Sequence, residues 1–306
     1  MPGPGVWKNG KIAAGKRSDF HELTDDALNW LKANNFKRMK FIMSKELNQD
    51  RYTEQTIEHI SNYLNDNKYA LFDEYYIVNK YNDVDTVNSD NNNINHYMLQ
   101  YHNPQREMYI AFFLPATAAN KWMISLVYSK FDYGWKISEL DVGPYTFNGK
   151  TGPELYKLAK DNYSKNYLID AVNNTALANT CMAPVDIWQY GAEDSLHTFY
   201  GQIINEANDK YKFPYTLNAI STKPRIIRVF NQTNKEGSFP MVHYLSSINL
   251  KDTDAIKNEN EQIRKVIGNI MPGLDKDKKY VYYSAFNVKP RSDKEVDRFE
   301  MTDKLK

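Results

Sequence analysis

Two carboxylates near the end of a predicted strand have the spacing best suited to proton-transfer chemistry. Glu139 and Asp141 stand two positions apart in the segment WKISELDV that begins at Trp135. Side chains alternate between the two faces of a strand, so we expect both carboxyl groups on the face shared with Trp135 and Ile137. If that face lines an apolar cavity, loss of hydration raises a carboxyl pKa toward the working range of a general base.

Tyr133, and either Asp73 or Glu74 in an earlier strand, are the candidate partners of this carboxylate pair. In the alternative reading Asp141 lies beyond the rim of the sheet and Glu139 faces water. Glu139, Asp141 and Tyr133 are therefore candidate catalytic residues, whereas the sequence as a whole favours a protein that is not an enzyme.

Aromatic residues are unusually abundant, with 23 Tyr, 14 Phe and 5 Trp. Their flat faces can stack on the rings of a glycan, but tyrosines also serve as half-buried sheet residues with the hydroxyl at a wet edge. Both readings stay open, and a binding surface would be formed by some of these aromatic side chains. The candidate binding residues are Tyr97, Tyr101, Tyr109, Trp122 and Trp135.

Metal chemistry finds little support in the positions of the histidines. His96 and His102 share one face of a predicted strand, but six residues of strand separate them by roughly 20 Å. One metal ion cannot bind both side chains. We therefore predict no metal site and no cofactor.

Phosphate binding and covalent catalysis are also poorly supported. Gly149-Lys150-Thr151 lies between a strand and a helix, but five residues separate Gly143 from Gly149 where a phosphate-binding loop has four. Ser195 lacks the flanking glycines of a nucleophile elbow. Cys181, the single cysteine, is expected to be a buried thiol.

Composition limits the class of protein and its partners. The chain has 306 residues, which suits two domains, and 42% hydrophobic residues indicate a folded protein. A formal net charge of +1 gives no long-range field to attract nucleic acid or a membrane surface. The sequence has no apolar run long enough to span a bilayer. The partner is expected to be a small molecule, a glycan or a protein.

The first half of the chain predicts helices followed by an antiparallel sheet. Thr24 is expected to cap a first helix, and Thr53 a later one. Alternating apolar residues predict strands at 71–80 and 95–103, joined by an exposed polar loop at 83–93, and then three strands within Glu107–Lys150. These five strands are expected to pair as one antiparallel meander.

The order helix, helix, then strands that end in Trp135-Lys136-Ile137-x-x-Leu140 resembles the nuclear transport factor 2-like and cystatin-like folds. It looks like the small domains of this group in bacterial lipoproteins. The resemblance covers roughly residues 20–147 and implies a curved sheet, a cone with an open mouth, and a place in the cell envelope or outside the cell. The N-terminus has no apolar signal segment, so location in the cytoplasm is the alternative.

Beyond residue 150 the pattern becomes helical and then mixed. Small residues between Pro153 and Pro184 resemble one tetratricopeptide repeat, and because one repeat cannot form an array we expect a helical hairpin that connects two domains. An α-β-β-α-β unit follows. The sequence thus predicts an α+β protein that presents a surface or pocket to a ligand. The predicted parts are a flexible N-terminus at 1–19, a cone-shaped domain at 20–149, a connector at 150–190, a C-terminal unit at 191–290 and a loose charged tail at 291–306.

Two further functions stay open alongside this binding protein. One is an isomerase, dehydratase or hydrolase that uses a carboxylate base in the N-terminal cavity. The other is a scaffold in which the hairpin holds a partner protein. A polar-lined cavity of some 300 Å³ or more with two converging titratable groups would favour the enzyme.

Overall fold

The computed structural model describes residues 3–81, 84–90, 93–102, 105–291 and 295–305, and the chain forms two compact units. Unit 1 comprises Met1–Thr151 and Thr180–Gly191, and unit 2 comprises Gly152–Asn179 and Ala192–Lys306. The chain is α+β, as the sequence predicts. None of the helices in the described ranges is long and apolar enough to cross a membrane.

In its described residues, unit 1 contains a five-stranded antiparallel sheet, a three-stranded sheet and four α-helices. The larger sheet has the order β1-β2-β5-β6-β7, and the smaller has the order β3-β4-β8. The helices are α1 (Ala14–Lys32), α2 (Phe36–Ile42), α3 (Lys45–Gln49) and α4 (Thr53–Asp66). The strands are β1 (Gly5–Lys8), β2 (Tyr69–Val78), β3 (Val84–Asn88), β4 (Tyr97–His102), β5 (Glu107–Pro115), β6 (Lys121–Phe131), β7 (Gly134–Thr146) and β8 (Trp188–Tyr190).

The helices of unit 1 cover one face of the larger sheet. Every second residue of the central strands belongs to the core beneath them, such as Tyr109 and Ala111 in β5 or Ile124 and Leu126 in β6. Within this buried cluster, Phe20 of α1 stacks on Tyr109 with ring centroids 4.1 Å apart. The helix-covered face of this sheet is therefore a packed interior.

A buried carboxylate fixes α1 to this sheet. The Glu74 side chain on β2 is fully buried and accepts a hydrogen bond of 2.8 Å from the Tyr109 hydroxyl. Two side chains of α1 complete its contacts, because Arg17 forms an ion pair with it and His21 Nε2 lies 3.0 Å away. A charge this deep is tolerated because each of its oxygens is paired.

The prediction of one five-stranded meander is wrong, because the strand at 95–103 lies in a separate sheet. Strand β4 pairs with β3 and β8, while β2 pairs directly with β5. All nine residues of β5 are buried, so both faces of the larger sheet are covered. Trp188 of β8 packs edge-on against Phe112 of β5 with centroids 5.2 Å apart, so the smaller sheet covers the second face. The polar run predicted as a loop contains β3, and its residues 83, 91 and 92 lie outside the described residues.

Both ends of the chain are more ordered than the sequence predicts. In the stretch expected to be flexible, β1 pairs with β2 from Gly5↔Val78 to Lys8↔Tyr75, and α1 starts before the predicted cap at Thr24. The Thr24 hydroxyl instead donates to the Phe20 carbonyl oxygen within α1. In the predicted loose tail, a strand at 298–304 pairs with the strand at 280–286. Each of these segments pairs with the edge of a sheet. The local sequence pattern cannot predict such pairing.

The part of unit 2 that the structure describes contains a five-stranded sheet and four helices. Its strand order is β13-β12-β11-β10-β9, and β11 runs parallel to β12 because α8 connects them. Isoleucines of α8, such as Ile263 and Ile267, are buried against Val242 and Val281 of the sheet. The helices are α5 (Gly152–Ser164), α6 (Leu168–Thr180), α7 (Glu193–Tyr211) and α8 (Thr253–Ile270). The strands are β9 (Tyr215–Thr216), β10 (Arg225–Asn234), β11 (Gly237–Leu245), β12 (Tyr280–Phe286) and β13 (Arg298–Lys304).

The predicted helical hairpin exists, but the sequence assigned it to the wrong part of the fold. It is the pair α5 and α6, and Leu168, Ile169 and Ala171 of α6 lie in the core of unit 2. The hairpin thus belongs to unit 2, whereas residues 180–191 return to unit 1 and supply β8. The predicted α7, β10, β11, α8 and β12 are confirmed.

A lysine ammonium stabilises the loop after α8 in unit 2. Lys278 Nζ lies 2.7 Å from Asp170 Oδ2 and also donates to the carbonyl oxygens of Gly273 and Lys276 at 2.5 and 2.7 Å. The Asp170 side chain is only 6% exposed and that of Lys278 15%. Burial raises the pKa of Asp170, and the Lys278 charge opposes that rise.

We expect Lys278→Met to lower the free energy of unfolding by about 3 kcal/mol, since the change leaves a buried carboxylate unpaired. The measurement is urea unfolding at pH 7 followed by circular dichroism. The adjacent Lys279→Met is the matched control: its ion pair with Glu236 is half exposed and is weakened by solvent, so little stability should be lost. Equal losses in the two variants would contradict this account, and Asp170→Asn added to Lys278→Met should recover part of the loss.

Candidate functional site

An extra residue in β7 determines where the predicted carboxylates point. Tyr128 of β6 pairs with Ile137, but Val127 pairs with Glu139, so Ser138 is an unpaired bulge residue. Tyr128 and Ile137 lie in the helix-side core, which places Glu139 on the opposite face with Val127. The prediction that Glu139 and Asp141 share a face with Trp135 and Ile137 is therefore wrong.

The two carboxylates line a cavity at the β7 edge of the larger sheet. The cavity has a volume of about 450 Å³ and lies between β7, the α3–α4 turn and the segment that precedes β8. Five of its lining residues are acidic, and none is Lys, Arg or His. We call it the acidic cavity. Its lining residues are Glu46, Leu47, Asp50, Tyr52, Thr53, Thr56, Ser125, Ser138, Glu139, Leu140, Asp141, Asp186 and Ile187.

Glu139 has the most strongly perturbed carboxyl group in the acidic cavity. Burial raises its pKa to about 7, and the charges of Asp186 and Asp141 raise it further. Within the described part of the chain, no hydrogen-bond donor or cationic side chain contacts the Glu139 carboxylate. At neutral pH its charge is therefore partly populated and has no protein partner.

Asp141 and Asp186 are held together by the backbone. Asp141 Oδ1 accepts a hydrogen bond of 2.7 Å from the Val142 amide, and Oδ2 accepts one of 2.9 Å from the Asp186 amide. Burial raises the pKa of Asp141, although these two hydrogen bonds act in the opposite direction. The Asp186 carboxylate adds a third negative charge, so like charges accumulate here.

Gly143 allows the Asp186 segment to lie against β7. A Cβ atom at Gly143 would lie 2.0 Å from the carbonyl oxygen of Pro184, well inside contact distance. The missing side chain thus permits the close approach that brings Asp186 to Asp141.

The α3–α4 turn supplies the other side of the acidic cavity. The Ser44 hydroxyl caps α3 by accepting from the Leu47 amide at 3.2 Å. The Asp50 carboxylate accepts from the Tyr52 amide at 2.7 Å, and this turn places the half-exposed Tyr52 ring at the cavity rim. Sequence reasoning missed Glu46, Asp50 and Asp186. Each lies far from Glu139 in sequence, and no local pattern around these residues indicates that they meet Glu139.

The predicted partners of Glu139 lie elsewhere. Tyr133 is 53% exposed in the β6–β7 turn, where it stacks on Phe131 with centroids 5.1 Å apart. Asp73 forms an ion pair with Lys8 at 2.9 Å, and Glu74 pairs with Arg17. None of these side chains lines the acidic cavity.

The candidate binding aromatics do not form one platform. The Tyr97 hydroxyl donates to Asp73 at 2.5 Å, and the hydroxyl of the buried Tyr109 donates to Glu74. Tyr101 is 2% exposed. Trp122 stacks on Tyr63, and Trp135 packs edge-on against Phe20. These rings pack against different neighbours, and three of the five are buried: Tyr97, Tyr101 and Tyr109.

Other chemistry tested on the sequence has no geometric support in the described residues. No group of three His, Cys, Asp or Glu side chains there is arranged to hold a metal ion. Burial raises the pKa of the Cys181 thiol to about 12, which disfavours a thiolate. Gly149 lies in a tight turn closed by the Phe147–Lys150 bridge, and Ser195 lies in the first turn of α7.

Comparisons with protein-family models, curated proteins and solved structures gave no match. Functional inference therefore depends on the geometry of the acidic cavity.

We expect Asp186→Asn to lower the pKa of Glu139 by roughly one unit, because the change removes a like charge while burial stays the same. The pKa is read from carboxyl carbon shifts in an NMR titration. Glu46→Gln is the matched control: it also removes a charge from the lining, but Glu46 is not among the groups that raise this pKa. An equal or larger shift in the control would count against the assigned coupling.

Glu139→Gln should stabilise the fold at high pH. The folded pKa of about 7 exceeds the ordinary 4.5, so the contribution of Glu139 to stability is present below pH 4.5 and is lost as pH rises through 7. The neutral amide avoids that loss, and we expect a gain of roughly 2–3 kcal/mol at pH 8 and none at pH 4. Urea unfolding at both pH values is the measurement. Glu58→Gln, an exposed change on α4, is the control, and a Glu139→Gln gain independent of pH would contradict the argument.

Proposed function

We propose that this protein is a binding protein whose acidic cavity takes a small ligand with one or more protonated amines. The observation that carries the proposal is the Glu139 carboxylate, which is largely buried, close to like charges and without a cationic partner among the described residues. An amine in the cavity would supply the missing charge and hydrogen-bond donors.

The charge inventory supports a cation over an anion or a neutral ligand. Five carboxylates line the cavity and no basic side chain does. Bringing an anion there adds repulsion, whereas a cation offsets repulsion that already exists between Glu139, Asp141 and Asp186. In a partly desolvated site such interactions are several times stronger than in water.

The size and composition of the lining support an organic ligand. A volume of about 450 Å³ lies within the usual range of small-molecule pockets. Leu47, Leu140 and Ile187 offer apolar surface to a hydrocarbon chain, beside the five carboxylates of the lining. Alkylamines combine a hydrocarbon chain with a protonated amine.

Proton-transfer catalysis is the second candidate function. A carboxyl group with a pKa of about 7 is suited to act as a general base or acid at neutral pH. Asp141, held by two backbone amides, would then be the fixed charge beside it. This function requires that the ligand be chemically changed, which mass spectrometry of the ligand after incubation would detect.

Residence in the cell envelope and a relationship to nuclear transport factor 2-like proteins are further parts of this proposal. They rest on the order of α1 to α4 before strands β2 to β7 and on the closing strand β7. Reading the native gene start for a signal segment that ends in a lipidated cysteine tests the location.

We expect cadaverine and spermidine to bind in calorimetry at pH 8 and to bind about tenfold more weakly at pH 6, where only a small fraction of Glu139 is ionised. The amines stay protonated over this range. 1,5-Pentanediol, a neutral analogue of cadaverine, should not bind. Glu139→Gln should weaken binding at pH 8 and remove the pH dependence, while Glu58→Gln should change neither.

Three results would overturn this proposal. The first is binding of 1,5-pentanediol that is as strong as that of cadaverine. The second is binding of Ca²⁺ or Mg²⁺ alone. The third is that neither cadaverine nor spermidine binds. Turnover of a bound amine would instead support the second candidate function.

A further inference from the structure

Helix α2 of unit 1 presents an aromatic side chain to solvent within a run of basic residues. Phe41 is 66% exposed, although a phenylalanine on a short helix would ordinarily pack inward. The residues from Lys32 to Lys45 contain five basic side chains and no acidic one. These basic residues are Lys32, Lys37, Arg38, Lys40 and Lys45, and all five are exposed.

The geometry of α2 places Phe41 at the centre of its outward side. Met39 is fully buried and marks the inward side. At 3.6 residues per turn, roughly 100° each, Phe41 is about 200° from Met39, and Lys37 lies one turn before Phe41 on the same side. Arg38 and Lys40 flank that side, and Lys40 Nζ lies 4.4 Å from the centre of the Phe36 ring.

The β6–β7 turn adds a second exposed aromatic ring next to α2. Lys136 Nζ donates to the Phe41 carbonyl oxygen at 2.6 Å and lies 6.0 Å from the centre of the Tyr133 ring. Tyr133 is 53% exposed and is supported from behind by its stacking on Phe131. We call the outward residues of α2 together with this turn the α2 surface. It consists of Lys37, Arg38, Lys40, Phe41, Tyr133 and Lys136.

We propose that the α2 surface docks on the face of a lipid bilayer that carries anionic headgroups. Interfacial binding of this kind needs an apolar side chain that enters the headgroup region and basic side chains around it, and the α2 surface provides both. Phe41 would enter the bilayer, Tyr133 would lie at the headgroup level, and the surrounding cations would contact phosphates.

The local distribution of charge corrects the argument from net charge. The whole chain carries only +1, which predicts no attraction to a membrane. Screening limits electrostatic attraction to about 10 Å in salt solution, so nearby charges decide it. Among the residues of α2 and of the β6–β7 turn, Asp132 is the one acidic side chain, and the next along the chain from α2 is Glu46 of α3.

A bilayer fits the α2 surface better than nucleic acid does. A protruding phenylalanine between lysines can insert into an apolar layer. Protein surfaces that bind nucleic acid instead combine basic grooves with several aromatic rings that stack on the bases. None of the α2-surface residues lines the acidic cavity. Failure of this inference therefore leaves the proposed amine ligand intact, and the reverse also holds.

The test is co-sedimentation of the full chain with vesicles of phosphatidylcholine alone or mixed with phosphatidylglycerol. We expect binding to the mixed vesicles only, and loss of binding in high salt. Phe41→Ser should weaken the apparent affinity about tenfold, as expected for loss of an inserted aromatic ring. Replacing Lys37, Arg38 and Lys40 by serine should abolish binding.

Insertion is read separately with Phe41→Trp, a change on an exposed position that leaves the core untouched. The emission of the added tryptophan, taken as the difference from the unmodified chain with its five Trp, should shift to the blue and be quenched by brominated lipid when mixed vesicles are added. Tyr81→Trp is the matched control, because Tyr81 is 69% exposed and follows a lysine in sequence, as Phe41 does. Its emission should stay unchanged.

Several outcomes would overturn the inference. The first is that the protein does not sediment with mixed vesicles, and the second is that it binds vesicles of phosphatidylcholine alone equally well. The third is that Phe41→Trp sediments with mixed vesicles while the emission of its added tryptophan does not shift. Tighter binding of the same surface to single-stranded DNA than to vesicles would overturn it as well.

Discussion

The candidate site depends on one extra residue in an edge strand. Ser138 interrupts the pairing of β6 with β7, and the interruption changes which face the following side chains occupy. Without it Glu139 would lie in the helix-side core, where an uncompensated carboxylate is prohibitively unfavourable. With it, Ile137 completes that core while Glu139 and Asp141 reach the cavity at the sheet edge. A single bulge thus reconciles a packed interior with a strand that carries two acids.

The charges in the acidic cavity are kept close by backbone contacts. The Asp186 amide donates to Asp141, and Gly143 leaves room for the carbonyl oxygen of Pro184. These contacts hold like charges together in a partly buried place, so the fold without a ligand bears an electrostatic cost. Burial of the apolar core beneath the helices of unit 1 offsets it.

Local patterns in the sequence sufficed for much of the fold and for part of the site. Alternation predicted β5, β6 and β7, and the expected α-β-β-α-β unit includes α8. Pairing between distant segments could not be predicted from local patterns. Strand β8 has only three residues and pairs with β4, about ninety residues earlier in the chain. Strands β1 and β13 pair at the edges of their sheets. The sequence predicted Glu139 and Asp141 as a pair but assigned them to the wrong face of the sheet. A bulge shifts the alternation of side chains, and no residue type in β7 indicates that it is there.

The return of residues 180–191 to unit 1 makes that unit discontinuous in the chain. Both β8 and Asp186 are translated after the α5–α6 hairpin, so a nascent chain that ends at residue 151 lacks one strand of the smaller sheet and one wall of the cavity. Unit 1 therefore cannot mature on the ribosome ahead of these helices of unit 2. For the same reason, no single cut in the chain separates the two units into intact halves.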